Sequence, residues 1–283
     1  MNNDWLHSFI DVAEHKSLSK AAEKRNLSQP AISKQIHNLE TSLGVLLFQR
    51  SSTGVELTEA GKFFLKRITP VLSELTIIQH ELQQFQDSPN IKIGALPSLA
   101  SYYLPFRLKD LHLNQRPIQI TIEHASANLV HSVKTGELDA ALVESHYVQE
   151  PLISYKLFTE SYYAIFPLAH SFHGRSSVTI ADIHKEPLVI HPDQCSTRQY
   201  IAKHFQHLGY EMNIVAEVAF EQYILGSVAA GTGITILPEL VAKYIGHLPL
   251  FALPITDFES TRTICLATRS AKIGHQLYEA LVI

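Results

Sequence analysis

The chain has 283 residues, two cysteines, 46% hydrophobic and 18% charged residues, and a net charge of −4. That length holds two or three compact units with cores of their own, and the composition excludes a disordered chain. The cysteines, Cys195 and Cys265, lie far apart, which excludes a disulfide framework and points to a reducing, cytoplasmic setting.

The first residues, MNNDWLHSF, show no basic segment ahead of an apolar run, so no leader is expected. No stretch reaches the length of a membrane span. Trp5, Phe9, Val12 and Ala13 recur at helical spacing and predict a first helix. In "KSLSKAAEKRN" Ser19 is the expected cap, Ala21, Ala22 and Leu27 are small apolar packing residues, and Asn26 suits the left-handed turn that ends a short helix. Ser28 caps the next helix and Pro30 falls in its first turn. Ala31, Ile32, Ile36, Leu39 and Leu43 make its buried stripe, and Gly44 stops it.

A short helix, a tight turn and a longer helix make a helix-turn-helix. In a DNA major groove the start of the longer helix meets base edges. Gln29 suits adenine, Ser33 is adaptable, Lys34 reaches guanine or phosphate, and the end formed by Ser28 and Pro30 accepts a phosphate. Lys16, Lys20, Lys24, Arg25, Lys34 and Arg50 outnumber Glu23 and Glu40 there, a short basic band on a neutral protein. A water-facing surface helix presents the same residues, so pattern alone leaves both readings open.

"LLFQRSSTGVELTEAG" adds two short strands around a polar turn, a wing whose Arg50 and Ser51 would lie against DNA backbone. Thr58 caps a long helix predicted to reach about Phe85, kinked at Pro70. Its apolar positions include Phe63, Ile68, Val71, Leu72, Leu75 and Ile78, enough to suggest dimerisation.

These pieces ("AA", "LSQPAIS", "I..LE..LG", "LF.R" and "LTEAG", in order) closely resemble the DNA-binding segment of LysR-type transcriptional regulators. The wing departs from many members in lacking a further basic residue, having "SSTG" there. After a linker at 86–90, strands and helices alternate as in parallel β-α-β units: "IKIGAL", "ASYYLPFRLKDLHL", "IQITIEHA", "SANLVHSVKTG", "LDAALVES", then a second set from Tyr162. Loops 97–101, 124–128 and 193–198 carry hydroxyls just before helices. Each suits ordinary capping; together, with Arg198, they suit an anion at helix starts.

"IKIGALPSLASYYLP", "GELDAAL" and "SVAAGTGITILP" extend the resemblance. It implies an α/β fold: an N-terminal winged helix-turn-helix (1–58), a long linker helix (59–87), and a two-lobed α/β sensor (88–283) similar to periplasmic binding proteins. Lobe I would span about 91–161 and 267–283 and lobe II about 162–266, with crossing strands near Ser161–Phe166 and Ile264–Thr268. The implied effector residues are Ser98, Ser101, Ser126, Cys195, Thr197 and Arg198, with Cys195 where the family usually has serine. The implied partners are double-stranded DNA, a small anionic effector and further copies of the chain as homodimer or homotetramer. No catalytic motif, metal set or cofactor is expected: His204 and His207 in "HFQH" have no convergent ligand, and "GTG" at 231–233 reads as a turn. The competing classes are a solute-binding protein and an α/β metabolic enzyme.

Overall fold

The computed structural model describes residues 2–51, 54–83, 90–109, 117–258 and 261–282. The chain divides into two compact units, Met1–Gln79 and His80–Ile283.

The first unit packs α1 (Asn3–His15), α2 (Leu18–Lys24) and α3 (Gln29–Leu43) with the hairpin β1 (Phe48–Ser51) and β2 (Gly54–Leu57), then enters α4 (Glu59–Gln83). Leu6, Phe9, Val12, Ala21, Ala22, Ile32, Ile36, Leu39 and Leu47 bury together, and Ile68 and Leu72 of α4 join them. The cap of α2 is Ser17, not Ser19. Ser17 is extended and its hydroxyl accepts from the Lys20 N–H at 3.4 Å, which places Ser19 inside the first turn. Asn26 takes the left-handed conformation at φ 53°. Ser28 accepts from Ala31 N–H at 3.4 Å, and Gly44 ends α3 at φ 70°. The expected turn residues Ser52 and Thr53, and the linker residues 86–89, lie outside the described residues.

Thr58 does two jobs at the start of α4. Its hydroxyl donates to the Leu46 carbonyl at 2.8 Å and accepts from the Gly61 N–H at 3.0 Å. Any side chain at Gly61 would overlap the Leu47 carbonyl, so the glycine is a close-approach residue. α4 continues through Pro70 as one helix.

The second unit runs β3 (Ile91–Ala95), α5 (Pro97–Tyr102), α6 (Leu104–Leu108), β4 (Ile118–Ile122), α7 (Ser126–Thr135), β5 (Ala140–Glu144), β6 (Ile153–Glu160), β7 (Tyr162–Pro167), α8 (Ile180–Ile183), β8 (Leu188–Ile190), α9 (Ser196–His207), β9 (Ile214–Glu217), α10 (Glu221–Ala229), β10 (Thr235–Pro238), α11 (Glu239–Ala242), β11 (Leu250–Pro254), β12 (Arg262–Thr268) and α12 (Ala271–Val282). The stretch expected as one helix after β3 is split into α5 and α6, with Pro105 in the first turn of the second. Residues 110–116 lie outside the described residues.

Lobe I is a five-stranded sheet of order β4-β3-β5-β12-β6. β3 runs parallel to β4 and β5, and β12 runs antiparallel to β5 and β6. Its core holds Ile93, Leu99, Leu129, Leu142, Leu266 and Leu277. Lobe II contains the β10-β7-β11 and β8-β9 sheets, with Tyr162, Phe166, Ile201, Phe205 and Ile236 in its main core. The chain crosses between lobes at Ser161, between β6 and β7, and returns ahead of β12. Ile264–Thr268 is therefore not a crossing strand. It lies wholly in the lobe I sheet, and the return comes at Arg262 rather than 267, because β12 pairs with β6 from Arg262 onward.

Candidate functional site

The face of α3 opposite its buried stripe presents Ser28, Gln29, Pro30, Ser33, Lys34 and His37 to solvent. The helix is held from behind. Ser8 donates to Gln35. The Glu40 carboxylate accepts from the Leu47 and Phe48 N–H groups at 2.7 and 3.1 Å, which fixes the wing to the far half of α3. The Val55 N–H donates to the Lys16 carbonyl at 3.3 Å and ties the wing to the end of α1.

The basic band is smaller than its sequence count. Lys24 pairs with Asp11 and Glu14 at 2.9 and 2.8 Å, and Arg25 pairs with Asp11 at 3.3 Å. Both cations are occupied in fixing α2 to α1. Arg50 and Ser51 have their backbone in β1, opposite Val55 and Gly54; their side chains lie outside the described part of the structure.

In the second unit the starts of α7 and α9 meet. The Ser126 N–H donates to Ser196 Oγ at 3.0 Å and the Ser196 N–H donates to the His124 carbonyl at 3.1 Å. Ser126 is fully buried, and its hydroxyl accepts from the Glu144 N–H at 3.4 Å. Cys195 is the residue before α9 and is buried with Thr197 and Arg198. Arg198 donates to Met212 Sδ at 3.4 Å and its Nε has no hydrogen-bond partner. Burial pushes the Cys195 thiol up, and the Arg198 and Thr197 backbone groups draw it partly back.

Ser126 and the Cys195–Arg198 stretch are thus brought together. Ser98 goes elsewhere: it is buried and accepts from Arg262 Nη2 at 3.1 Å. Ser101 is exposed on α5.

Several polar groups escaped the sequence reading. Arg262 pairs with Glu160 at 2.7 Å, and its guanidinium lies 6.0 Å from the Tyr162 ring centre. Burial opposes the Arg262 charge, but Glu160, Tyr162 and Glu144 outweigh it and hold the group protonated. Burial raises the carboxyls of Glu144 and Glu221, the latter to about 7, and Glu221 is hydrogen-bonded to Tyr102. Glu144 ends an otherwise apolar strand at its carboxyl edge, where ligands of such sheets collect; that placement was the signal available in the sequence. His124, His191 and Cys195 bring one ligand atom each to within 4.8 Å of one another, a set able to hold a metal ion. A separate groove, lined by Tyr102, Arg107, Glu160, Lys243 and Tyr244 among others, contains none of the expected effector residues.

A winged helix-turn-helix followed by a two-lobed α/β unit defines a ligand-responsive DNA-binding regulator. Residues 3–62 match the "Bacterial regulatory helix-turn-helix protein, lysR family" and residues 86–282 the "LysR substrate binding domain". The chain belongs to the LysR family of transcriptional regulators. The dual regulator GltC of Bacillus subtilis is 30% identical over 265 residues, covering 92% of this chain and 88% of GltC. OxyR of Escherichia coli, a DNA-binding dual regulator, is 28% identical over 285 residues, covering 99% and 93%. The structure of full-length OxyR from Pseudomonas aeruginosa shares the fold, with a TM-score of 0.62, 24% identity and 99% coverage of both chains. These relatives are regulators rather than enzymes. Among the described residues no helix is long and apolar enough to cross a membrane.

Proposed function

We propose that residues 1–58 read double-stranded DNA through the start of α3, with Gln29, Ser33 and Lys34 at base edges and Ser28, Pro30, Arg50 and Ser51 along the backbone. The observation that carries this is the exposed row Gln29, Pro30, Ser33 and Lys34 on a helix pinned from behind. Residues 59–87 pair two copies. Phe63, Val71, Leu75 and Ile78 of α4 are 43–68% exposed, an apolar stripe that a second α4 would cover. The setting is the cytoplasm, where a regulator meets its DNA.

The sensor, residues 88–283, holds a small anion between the lobes, at Ser126 and Cys195–Arg198. Arg198 with its unpartnered Nε and the meeting starts of α7 and α9 support this. The carboxyl nearest this point, Glu144, whose N–H donates to Ser126 Oγ, is raised by burial, so burial opposes a negative charge beside the anion. Ser98 contributes through Arg262 rather than directly. An effector that favours one lobe arrangement shifts DNA placement only by its differential affinity. A gel shift on DNA flanking the gene, with and without a panel of small carboxylates and oxyanions, tests the reading; specific binding that no anion alters would leave the DNA role and remove the anionic effector.

Some relatives are named hydrogen peroxide-inducible genes activators. In this chain both thiols are buried and pushed up, and a protonated thiol is a poor nucleophile. We therefore favour ligand occupancy over thiol oxidation. Oxidation of Cys195 by equimolar peroxide, read by mass spectrometry, would reverse that preference.

A further inference from the structure

His124 lies between β4 and α7 in lobe I, and His191 and Cys195 lie between β8 and α9 in lobe II. The rings of His124 and His191 stand 5.8 Å apart, edge to face. Nδ1 of each is buried without a hydrogen-bond partner. His191 is only 4% exposed, whereas His124 is half-buried and opens toward solvent. Two buried, unsatisfied ring nitrogens beside a thiol are costly unless something occupies the space between them.

We propose that His124, His191 and Cys195 form a binding site for a borderline divalent transition metal ion of the zinc type, held across the two lobes.

The donor chemistry selects this class. Two imidazoles and one thiol suit zinc or its neighbours, whereas calcium and magnesium require oxygen donors. On binding, the ion takes a lone pair from one ring nitrogen of each histidine and from Sγ, and the thiol proton leaves to solvent. Two neutral imidazoles and one thiolate leave one positive charge on a divalent ion and an open fourth position. Ligand atoms in a tetrahedral site stand roughly 3.5 Å apart, so the 4.8 Å cluster closes by about 1 Å. Of the buried cations, Arg262 is already neutralised by Glu160, and Arg198 directs Nη1 to Met212 Sδ at 3.4 Å. Because the ligands come from both lobes, a bound ion favours the arrangement in which the starts of α7 and α9 touch.

This deepens the sensing role proposed for the same cleft and rests on it only for the regulatory consequence. Binding is tested on the tag-free full chain by titration with Co2+. One equivalent should produce a thiolate-to-cobalt absorption band that Zn2+ abolishes. Cys195→Ser should lose the band, and His191→Ala and His124→Asn should weaken binding at least about tenfold; the exposed His207→Ala should bind as wild type. Thermal melting without metal checks that each variant folds, and His124→Asn, at the more open position, serves if His191→Ala does not. No charge-transfer band in the wild type, or a band that survives Cys195→Ser, overturns the site. Stoichiometric binding that leaves DNA affinity unchanged keeps the site and overturns its sensing role. An anion response in a chain that binds no Co2+ overturns the metal site alone.

Discussion

Arg262 donates through Nε and Nη2 to a single carboxylate oxygen of Glu160, at 2.8 and 2.7 Å, with both side chains shut away from water. The other oxygen of Glu160 accepts from the Leu240 N–H at 2.7 Å. Glu160 ends β6 and Arg262 begins β12, so the pair sits where the chain passes between the lobes. Removing one partner strands the other charge in a buried site. Arg262→Met should cost about 3–5 kcal/mol, read as a lower urea midpoint. Adding Glu160→Gln to it should recover part of the loss, because no unpaired charge then remains; equal losses in single and double variants would show that packing, not charge, is at stake.

Glu221 and His191 pull the pH dependence of stability in opposite directions. The Glu221 carboxyl is raised by burial from 4.5 to about 7. Between those values the unfolded chain has lost its proton and the folded chain has kept it. Its contribution is therefore present at low pH and is lost as pH rises from about 4.5 to 7. The buried His191 ring is lowered from 6.5 to about 4, and there the unfolded chain holds the extra proton, so stability is lost as pH falls through that window. Glu221→Gln should flatten the fall toward pH 7, gaining about 3 kcal/mol at the upper end. His191→Asn should flatten the opposite slope. Urea melts at half-unit pH steps separate the two, and an unchanged slope in either variant refutes its assignment.

Gln29→Ala and Ser33→Ala should each reduce discrimination between the cognate site and single-base variants by about 1–3 kcal/mol per lost base contact. Lys34→Ala belongs with them if it reaches guanine, and otherwise lowers affinity on all sequences alike. Arg25→Ala should act mainly on stability, since its guanidinium is engaged by Asp11. Quantitative gel shifts at two salt concentrations distinguish the cases.

How much of this was legible in the residue string depended on the range of the interaction. Caps and turns are local, so Ser28, Asn26 and Gly44 could be read directly, and Ser17 was displaced to Ser19 only because two serines compete within one turn. The apolar periodicity also located most strands of the sensor. β6 and β11 are absent from the predicted strands although Pro151 precedes the first and Gly246 and Pro249 precede the second, because short apolar runs such as "LFALP" do not by periodicity alone separate strand from buried helix or loop. The polar interior was legible only where it borders helix starts, as at Ser126, Thr197 and Arg198. Arg262, Glu160, His124 and His191 come from four separate segments, and only the lobe packing makes them neighbours. The same packing gave Ser98 to Arg262, which a loop-by-loop reading assigns to the effector.

Gly61 supplies a test of the wing's anchoring. Its bare backbone lets the Leu47 carbonyl approach where Thr58 also bonds. Gly61→Ala should push that carbonyl away and cost about 1–3 kcal/mol, with DNA affinity falling alongside the melting temperature. Thr58→Ser keeps the hydroxyl and should spare both.

The α4 stripe decides whether the regulator works as paired copies. Ile68 and Leu72 turn inward and complete the core of their own unit, while Val71, Leu75 and Ile78, spaced four and three residues apart, face out. A helix of 25 residues with one apolar face spent and a second one bare is under pressure to associate. Leu75 is 45% exposed in the single chain, so Leu75→Glu leaves the unit's own core untouched and places a charge in any α4–α4 seam. Sedimentation should show the variant shifted toward monomer, with melting of the first unit's core little changed. Binding to a two-fold symmetric DNA site should fall far more than binding to a half-site, because pairing raises the local concentration of the second reading head. A variant that sediments as wild type would place the contact between copies on some other surface.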